Sequence, residues 1–513
     1  MDPAMYSDWA IQIAQGDIIG KEVFHAMPLY TYFLGFLYFL TNFSIYSARL
    51  FQFMLGSLSV ILIYFLAKEI FDIKTAVMSS LIACFYAPFM FYEGMFVPSS
   101  LVVFLFVLAA LALFLIKDDT KPKTWFLYGI LIGISALANA SILLFLICLP
   151  IFKKDLKSLV SFYLAVAAII GIVAARNYIV GKDAVFITSH GGVNFYIGNN
   201  ESATGHFSSI GYSVEGATNL IEDTKILAEK GARSPLKPSQ ISAYWTKKAL
   251  GFITRHPIKY SGLVLKKIYI FWSGFEYPDV EDYYLAKKFT PILRLPLFAF
   301  WFVAPLGLCG IFLSLKYWRK VAVLYAFLLL SMVGTVIMFV NSRYRMTAMP
   351  FVIIFSGFAI SYFWNIIKEK KFKSAILFML IFIVAFLFVN LGAQKPDYAM
   401  AYYNLSALYL NRGEYDNAIN SARESLEIFP ETVLPRHILG MAYFYKGDSN
   451  EAIRQLNAAL EIRPDFAQGY AFLGEIYFSK KDYKKAKIYF EKAVLYDPND
   501  FDSRAKLDKI KEK

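Results

Sequence analysis

From residue 46 to residue 392 long apolar runs alternate with short polar ones. The apolar runs fall at about 46–66, 73–92, 97–116, 124–152, 157–178, 296–315, 321–340, 348–366 and 374–392. All but the fourth are close to the roughly 20 residues that carry a helix across a bilayer. The fourth is too long for one span and short for two. Lys117, Lys121 and Lys123 precede it, and Lys153, Lys154 and Lys157 follow it. If both clusters lie on one side, the run goes out and back as a hairpin near Asn139. That predicts about ten crossings from residue 46 onward.

The charges of the short loops alternate with these runs. Lys68 and Lys74, then Lys316, Arg319 and Lys320, then Lys368, Lys370, Lys371 and Lys373 mark one side. Of the short loops on the other side, 92–98 has no Lys or Arg, and 341–347 has only Arg343 and Arg345. Lys and Arg accumulate on cytoplasmic loops, so this pattern places 1–45, the long loop 179–295 and everything after 393 outside the cytoplasm. The stretch 27–43 contains Thr31, Thr41 and Asn42 and is a marginal span. The expectation is therefore a further spanning helix ahead of Met1 rather than a crossing at 27–43.

After Gln394-Lys395-Pro396 the pattern becomes soluble and helical. A period of 34 residues is marked by Pro430, Pro464 and Pro498. In this register repeat one holds Tyr402, Leu405, Tyr409 and Ala418. Repeat two holds Leu439, Gly440, Tyr443, Ala452 and Ala459. Repeat three holds Tyr470, Leu473, Gly474, Tyr477, Ala486, Phe490 and Ala493. Paired antiparallel helices with small residues at the close contact and proline at the exit form the tetratricopeptide pattern. The predicted repeats are 399–432, 433–466 and 467–500, with a polar capping helix over 501–513. The fold class is all-α: a polytopic membrane helix bundle over 1–394, then a helical solenoid over 395–513. In the membrane region 1–45 forms a first outer loop with interfacial helices.

Composition agrees with this reading. Of 513 residues, 58% are hydrophobic, 18% aromatic and only 18% charged, where a soluble chain is nearer a quarter charged. The net charge of +13 comes with no nucleic-acid motif, so no nucleic-acid partner is assigned; it reads mainly as topology signal. Cys84, Cys148 and Cys309 lie inside apolar runs and suggest neither disulfides nor a metal site.

Candidate chemistry lies in the loops. Asp2-Pro3 is a good helix start. Tyr6, Trp9, Ala10 and Ile13 follow at helical spacing, and Gly16 ends the run, giving a short helix in the interface. On residues alone Asp2 reads either as a cap or as a carboxylate base, since an acceptor hydroxyl attacks only once its proton is taken. Arg343-Tyr344-Arg345 reads either as an interfacial anchor or as a set of donors for phosphate oxygens. Arg176 ends a span, where it snorkels to headgroups or binds an anion. The Gly- and Asn-rich stretch Ser189–Asn200 contains His190, Asn194, Tyr196 and Asn199 and suits close approach to a ligand. Glu93 lies at the outer end of a span, where acids tend to be functional. His25, His190 and His206 lack metal-ligand spacing, and no nucleotide-binding pattern is present.

The order of an Asp-x-x-x-Tyr helix, a Pro28-Leu29-Tyr30-Thr31-Tyr32-Phe33-Leu34 helix and a span opening with Arg49 and Gln52 resembles membrane glycosyltransferases of the GT-C type. It is most similar to the dolichyl-phosphate-mannose protein mannosyltransferase-like family, over about residues 1–392. The resemblance implies a multi-pass protein of a bacterial or archaeal cell membrane, with its active loops and its repeat array extracytoplasmic. It implies that a sugar leaves a polyprenyl-phosphate carrier for a protein, lipid or glycan hydroxyl, with inversion. It makes Asp2 the catalytic carboxylate, and Arg343, Tyr344, Arg345 and Arg176 the donor-phosphate ligands. Tyr6, His190, Asn194, Tyr196, Asn199, Glu276 and Glu93 become substrate-binding candidates. Glu276, in the segment Phe275-Glu276-Tyr277-Pro278, is also the candidate acid for a divalent metal ion, a requirement the residues leave open. Membrane lipid, and a protein partner or acceptor in the repeat groove, are the other expected partners. Two alternatives stand beside this reading: a non-catalytic membrane-anchored tetratricopeptide scaffold, and a lipid-linked glycan ligase.

Overall fold

The computed structural model describes residues 2–207, 220–279, 282–392, 398–498 and 500–511, without the side chains of Asp2, Pro3 and Lys511. Two compact units emerge: 1–208 with 232–394, and 209–231 with 395–513. Among the described residues the structure is helical, with only two isolated bridges, Tyr86 to Phe298 and His206 to Val340.

The first unit opens with α1 (Asp2–Ala14) and α2 (Pro28–Thr41), which pack on each other ahead of the first long apolar helix. Next come α3 (Ile45–Ile70), α4 (Ile73–Cys84), α5 (Ala87–Glu93), α6 (Ser99–Ile116), α7 (Pro122–Ala138), α8 (Phe145–Phe152) and α9 (Leu156–Gly181). The long loop adds α10 (Gly191–Gly198), α12 (Pro238–Arg255), α13 (Pro257–Trp272) and α14 (Tyr283–Phe289) to this unit, while its α11 (Leu220–Ala232) belongs to the second. The bundle then resumes with α15 (Phe300–Ser314), α16 (Trp318–Ile337), the single turn α17 (Ser342–Arg345), α18 (Met349–Lys368) and α19 (Phe372–Asn390).

Among the described residues six stretches are long and apolar enough to cross a membrane: α3, α6, α9, the run Phe300–Ile337, α18 and α19. Three shorter apolar helical segments accompany them: α4, α7 and Ala140–Phe152. The protein is thus a multi-pass membrane protein, while the expected count of about ten crossings is not fixed by helix length. Local chemistry sets the helix starts. Asp72 caps α4 by accepting from Thr75 N at 2.7 Å, and Asp155 caps α9 by accepting from Ser158 N at 2.8 Å.

The run 122–152 is broken at Asn139, whose extended backbone ends α7 and whose side chain accepts from Ser141 N at 3.0 Å. Its two ends meet, because Lys153 Nζ donates to the carbonyl of Asp119 at 2.7 Å. Trp125 Nε1 donates to the same carbonyl at 2.7 Å. The stretch 73–92, read as one run, is two helices. Pro88 has no N–H and its ring crowds the carbonyl four residues back. The freed backbone pairs with Phe298: Ala87 N donates to Phe298 O at 2.8 Å, and Phe298 N to Phe85 O at 2.9 Å.

In the second unit α20 (Ala399–Asn411), α22 (Val433–Tyr445) and α24 (Ala467–Ser479) start 34 residues apart. They pair with α21 (Tyr415–Ile428), α23 (Ser449–Ile462) and α25 (Tyr483–Tyr496), and α26 (Phe501–Lys511) follows. Ala418, Ala422, Leu439, Ala442, Ala452, Leu456, Leu473, Ala486 and Phe490 are buried between the pairs. α11 groups with this unit, and its Thr224 and Ala228, one turn apart, are buried.

Candidate active site

Chain alternation sorts the ends of the first unit. The turns around Lys68, Lys74, Lys316 and Lys368 are linked by Lys74 Nζ donating to Asn365 Oδ1 at 3.2 Å and by Lys316 lying 5.6 Å from the Tyr362 ring, and the Lys117–Lys121 turn closes on Lys153; alternating helices would set them at one end of the bundle. The start of α3, the end of α5, the start of α6 and the 338–348 connection lie at the other. Some of the groups singled out from the sequence are linked by contacts there.

A line of contacts runs across it from α1. Tyr6 is buried and meets Tyr30 edge to face at 5.2 Å. Tyr30 Oη donates to Gln52 Oε1 at 2.5 Å, and Gln52 Nε2 donates to Glu93 O at 2.9 Å and Met95 O at 2.8 Å. Gln52 is fully buried, so its amide is satisfied entirely by protein groups. The Glu93 carboxyl rests on Gly56, where a Cβ would come within 2.1 Å of its Oε1. A side chain at position 56 would push the acid out of this position. Glu93 lines a small cavity with Ser59, Phe89, Tyr92, Ser99, Ser100, Val103 and Met346. Asp2 begins α1, one turn before Tyr6; its side chain lies outside the described residues.

Met346 joins this cavity to the arginine turn. Asn341 caps α17 by accepting from Tyr344 N at 2.7 Å. Arg345 is buried and donates to Phe271 O, Ser273 O and Phe275 O at 3.2, 2.8 and 3.4 Å. Nη2, which makes the Phe275 contact, also donates to Glu276 Oε2 at 2.6 Å, and the guanidinium lies 3.6 Å from the centre of the Phe300 ring. Arg343 Nε pairs with Asp279 Oδ2 at 2.8 Å, and Ser342 N donates to Tyr277 O at 2.9 Å. Tyr92 lies within electrostatic reach of Glu276, Asp279, Arg343 and Arg345. Arg343, Tyr344, Arg345, Glu276 and Glu93 are therefore brought together.

The remaining candidates make contacts of their own. Arg176 donates to Ile19 O at 2.7 Å and Glu22 O at 2.6 Å and covers the Phe24 ring at 3.9 Å, clamping the α1–α2 loop. Asn177 accepts from Phe24 N at 3.2 Å and donates to Val185 O at 3.0 Å. His190 begins α10, Asn194 N donates to its carbonyl at 3.1 Å, and Tyr196 packs on Trp245 at 4.7 Å. Asn199 is buried and donates to Phe195 O at 2.7 Å and Ile337 O at 2.8 Å. Its Oδ1 accepts from Lys267 Nζ at 2.9 Å, and the same amine donates to Met338 O at 2.7 Å. Burial pushes the Lys267 amine down to about 7.

Gln52, Lys267 and Asp279 carry this geometry but were not singled out from the sequence as site residues. Gln52 reads as one polar residue in an apolar span, and Lys267 as half of a Lys-Lys pair on an amphipathic helix. Asp279 follows the Phe275–Pro278 segment directly, and that adjacency is its signal in the sequence. Among the described residues no group of three or more His, Cys, Asp or Glu is placed to hold a metal ion.

Comparison with known proteins adds the following. Residues 25–178 match the dolichyl-phosphate-mannose-protein mannosyltransferase family. Residues 397–465 and 467–500 match tetratricopeptide repeat families. No curated protein matches the chain. Among solved structures, the oligosaccharyltransferase of Archaeoglobus fulgidus, in complex with zinc and sulfate, is 15% identical with a TM-score of 0.37. That match covers 84% of this chain but 53% of the other, so this chain spans about half its length. ArnT from Cupriavidus metallidurans in the apo state is 13% identical, with a TM-score of 0.36 and coverage of 90% and 74%. The first tetratricopeptide domain of human RPAP3 is 22% identical, with a TM-score of 0.22 and coverage of 23% and 93%. At TM-scores of this size none of the three likenesses bears on function. Over residues 25–178 the chain is thus similar to the dolichyl-phosphate-mannose-protein mannosyltransferase family, and over residues 397–500 to tetratricopeptide repeats.

Proposed function

We propose that this protein transfers a sugar from a polyprenyl-phosphate carrier to a hydroxyl acceptor on the extracytoplasmic face of the membrane. The observation that carries this reading is the line from α1 through Tyr6, Tyr30, Gln52 and Glu93 to the cavity that Met346 shares. It ties the helix headed by Asp2 to the arginine turn at one end of the bundle. The lysine-rich turns at the opposite end support the orientation. Two helices ahead of the first long span support this reading over a glycan ligase.

In the proposed reaction Asp2 takes the acceptor proton, and the acceptor oxygen bonds to the anomeric carbon as the bond from that carbon to the phosphate oxygen breaks. One base with direct displacement inverts the centre, and polyprenyl phosphate leaves. The departing oxygen gathers negative charge, which fixed donors stabilise. Arg343 and Tyr344 are the proposed ligands of that phosphate. Arg345, engaged by three carbonyls and Glu276, holds the turn that presents them. Arg176 holds the α1–α2 loop over the same end. His190, Asn194, Tyr196 and Asn199 form the proposed sugar-side wall. The repeat array is the proposed holder of a protein acceptor or partner. That role is gone if a chain lacking 398–513 keeps both transfer to protein acceptors and complex formation.

The test is transfer of labelled sugar from a polyprenyl-phosphate donor in membranes carrying wild type or Asp2→Asn. A positioned base contributes about 100-fold or more, so loss of that order is expected in the variant. Equal transfer would remove Asp2 from the mechanism.

A further inference from the structure

The cavity between α3, α5 and α6 holds polar groups that the fold leaves unsatisfied. Ser99 and Ser100 are 6% and 5% exposed, and neither Oγ has a hydrogen-bond partner among the described residues. Both stand in the first turn of α6, which has no side-chain cap, so they do not serve the helix start. Buried hydroxyls without partners are uncommon, because each gives up its hydration for nothing. Ser59 lines the same cavity and donates to Leu55 O at 2.9 Å, which leaves its oxygen free to accept. Glu93 is fixed from α3: Gln52 holds its carbonyl and that of Met95, and its carboxyl rests on Gly56. Met346, whose N–H donates to Arg343 O at 3.2 Å, joins the cavity to the arginine turn.

The lining decides what fits. Among the described residues that form it none is basic, so a phosphate or carboxylate would meet Glu93 with no counter-charge. An ammonium group would meet the first-turn amides of α6, which carry partial positive charge. A hydroxyl suits both, since it donates through its proton and accepts through its lone pairs. At about 270 Å³ the cavity is smaller than the pockets that enclose a whole ligand, so it takes an edge of one.

We propose that this cavity receives a hydroxyl of the transferred sugar, which donates to the Glu93 carboxyl and accepts from Ser99 or Ser100. This deepens the polyprenyl-phosphate reading above and rests on it. The transferred sugar then carries a free hydroxyl at one particular ring position, and sugars with hydrogen or a carboxylate there are rejected.

The test measures binding to the full chain in phosphatidylcholine nanodiscs, with empty nanodiscs as blank. The probes are farnesyl methyl phosphate, which has no sugar, and the farnesyl phosphodiesters of mannose, glucose and galactose. Each monodeoxy form of the tightest-binding sugar follows. One deoxy form is expected to bind about tenfold more weakly than its parent, since a site built for a hydroxyl rejects the analogue that lacks it. In Glu93→Met the parent is expected to fall to the level of that deoxy form, so that the difference between them shrinks below about twofold. Should that variant not fold, Ser100→Ala takes its place, because removing that hydroxyl strands no partner. Retention of the sugar donors with no deoxy form distinguished, or with the same deoxy loss in wild type and variant, overturns the inference alone. Absence of retention of every phosphodiester overturns the lipid-phosphate reading and the inference with it.

Discussion

A buried amine that donates to two oxygens needs only two protons. Lys267 meets that condition with Asn199 Oδ1 and Met338 O as its partners. Its folded pKa of about 7 lies below the ordinary 10.5, so between those values the unfolded chain holds a proton that the folded chain lacks. The stability contributed at this site therefore rises with pH from about 7 toward 10.5 and is lowest below 7. The melting temperature of wild type relative to Lys267→Met is expected to climb between pH 7 and pH 9 (the range is about half that window). A flat difference would mean that the amine stays charged when folded. Asn199 is drawn into the same knot, and its contacts run to Phe195 and Ile337 as well as to Lys267.

Helices and turns repeat their requirements, and the repeat array shows one place where the sequence does not comply. The turns inside the three repeats carry Gly413, Gly447 and Lys481, 34 residues apart, all with positive φ of 74°, 97° and 61°. A side chain in the left-handed region costs about 1–2 kcal/mol, while glycine adds about 0.5–1 kcal/mol of unfolded-state entropy. Lys481→Gly is expected to stabilise the repeats by about 0.5–1 kcal/mol in chemical denaturation; a loss of stability would mean that the Lys481 side chain is needed where it lies. At this scale much was legible in advance. The 34-residue period, the proline exits and the charges around 124–152 are local signals, and the Lys153–Asp119 closure is the geometry those charges imply. The break at Phe85–Tyr86 depends on Phe298, some 210 residues away, and no local pattern announces it. The same holds for the site. Arg343 and Arg345 stand out in a loop poor in basic residues, but their division between Asp279 and Glu276 is a pairing across more than 60 positions. Burial and partners decide it, and both come only with the fold.

At the scale of the whole molecule the chain passes between its two units more than once. It leaves the first near 208, returns near 232 and leaves again near 394. The helix Leu220–Ala232 lies in the excursion, with Thr224 and Ala228 buried. Removing 398–513 is expected to make the amides of 220–232 exchange as fast as an unprotected helix, read by hydrogen exchange on the membrane protein. Unchanged protection would assign that helix to the membrane unit instead. The passage has a consequence for how such proteins are assembled over evolution. A recombination event that swapped the coding sequence after residue 394 for another repeat array would bring in helices with no matched partner for Leu220–Ala232. The heritable module is therefore discontinuous in the gene, and arrays should be exchanged together with the stretch that carries Leu220–Ala232.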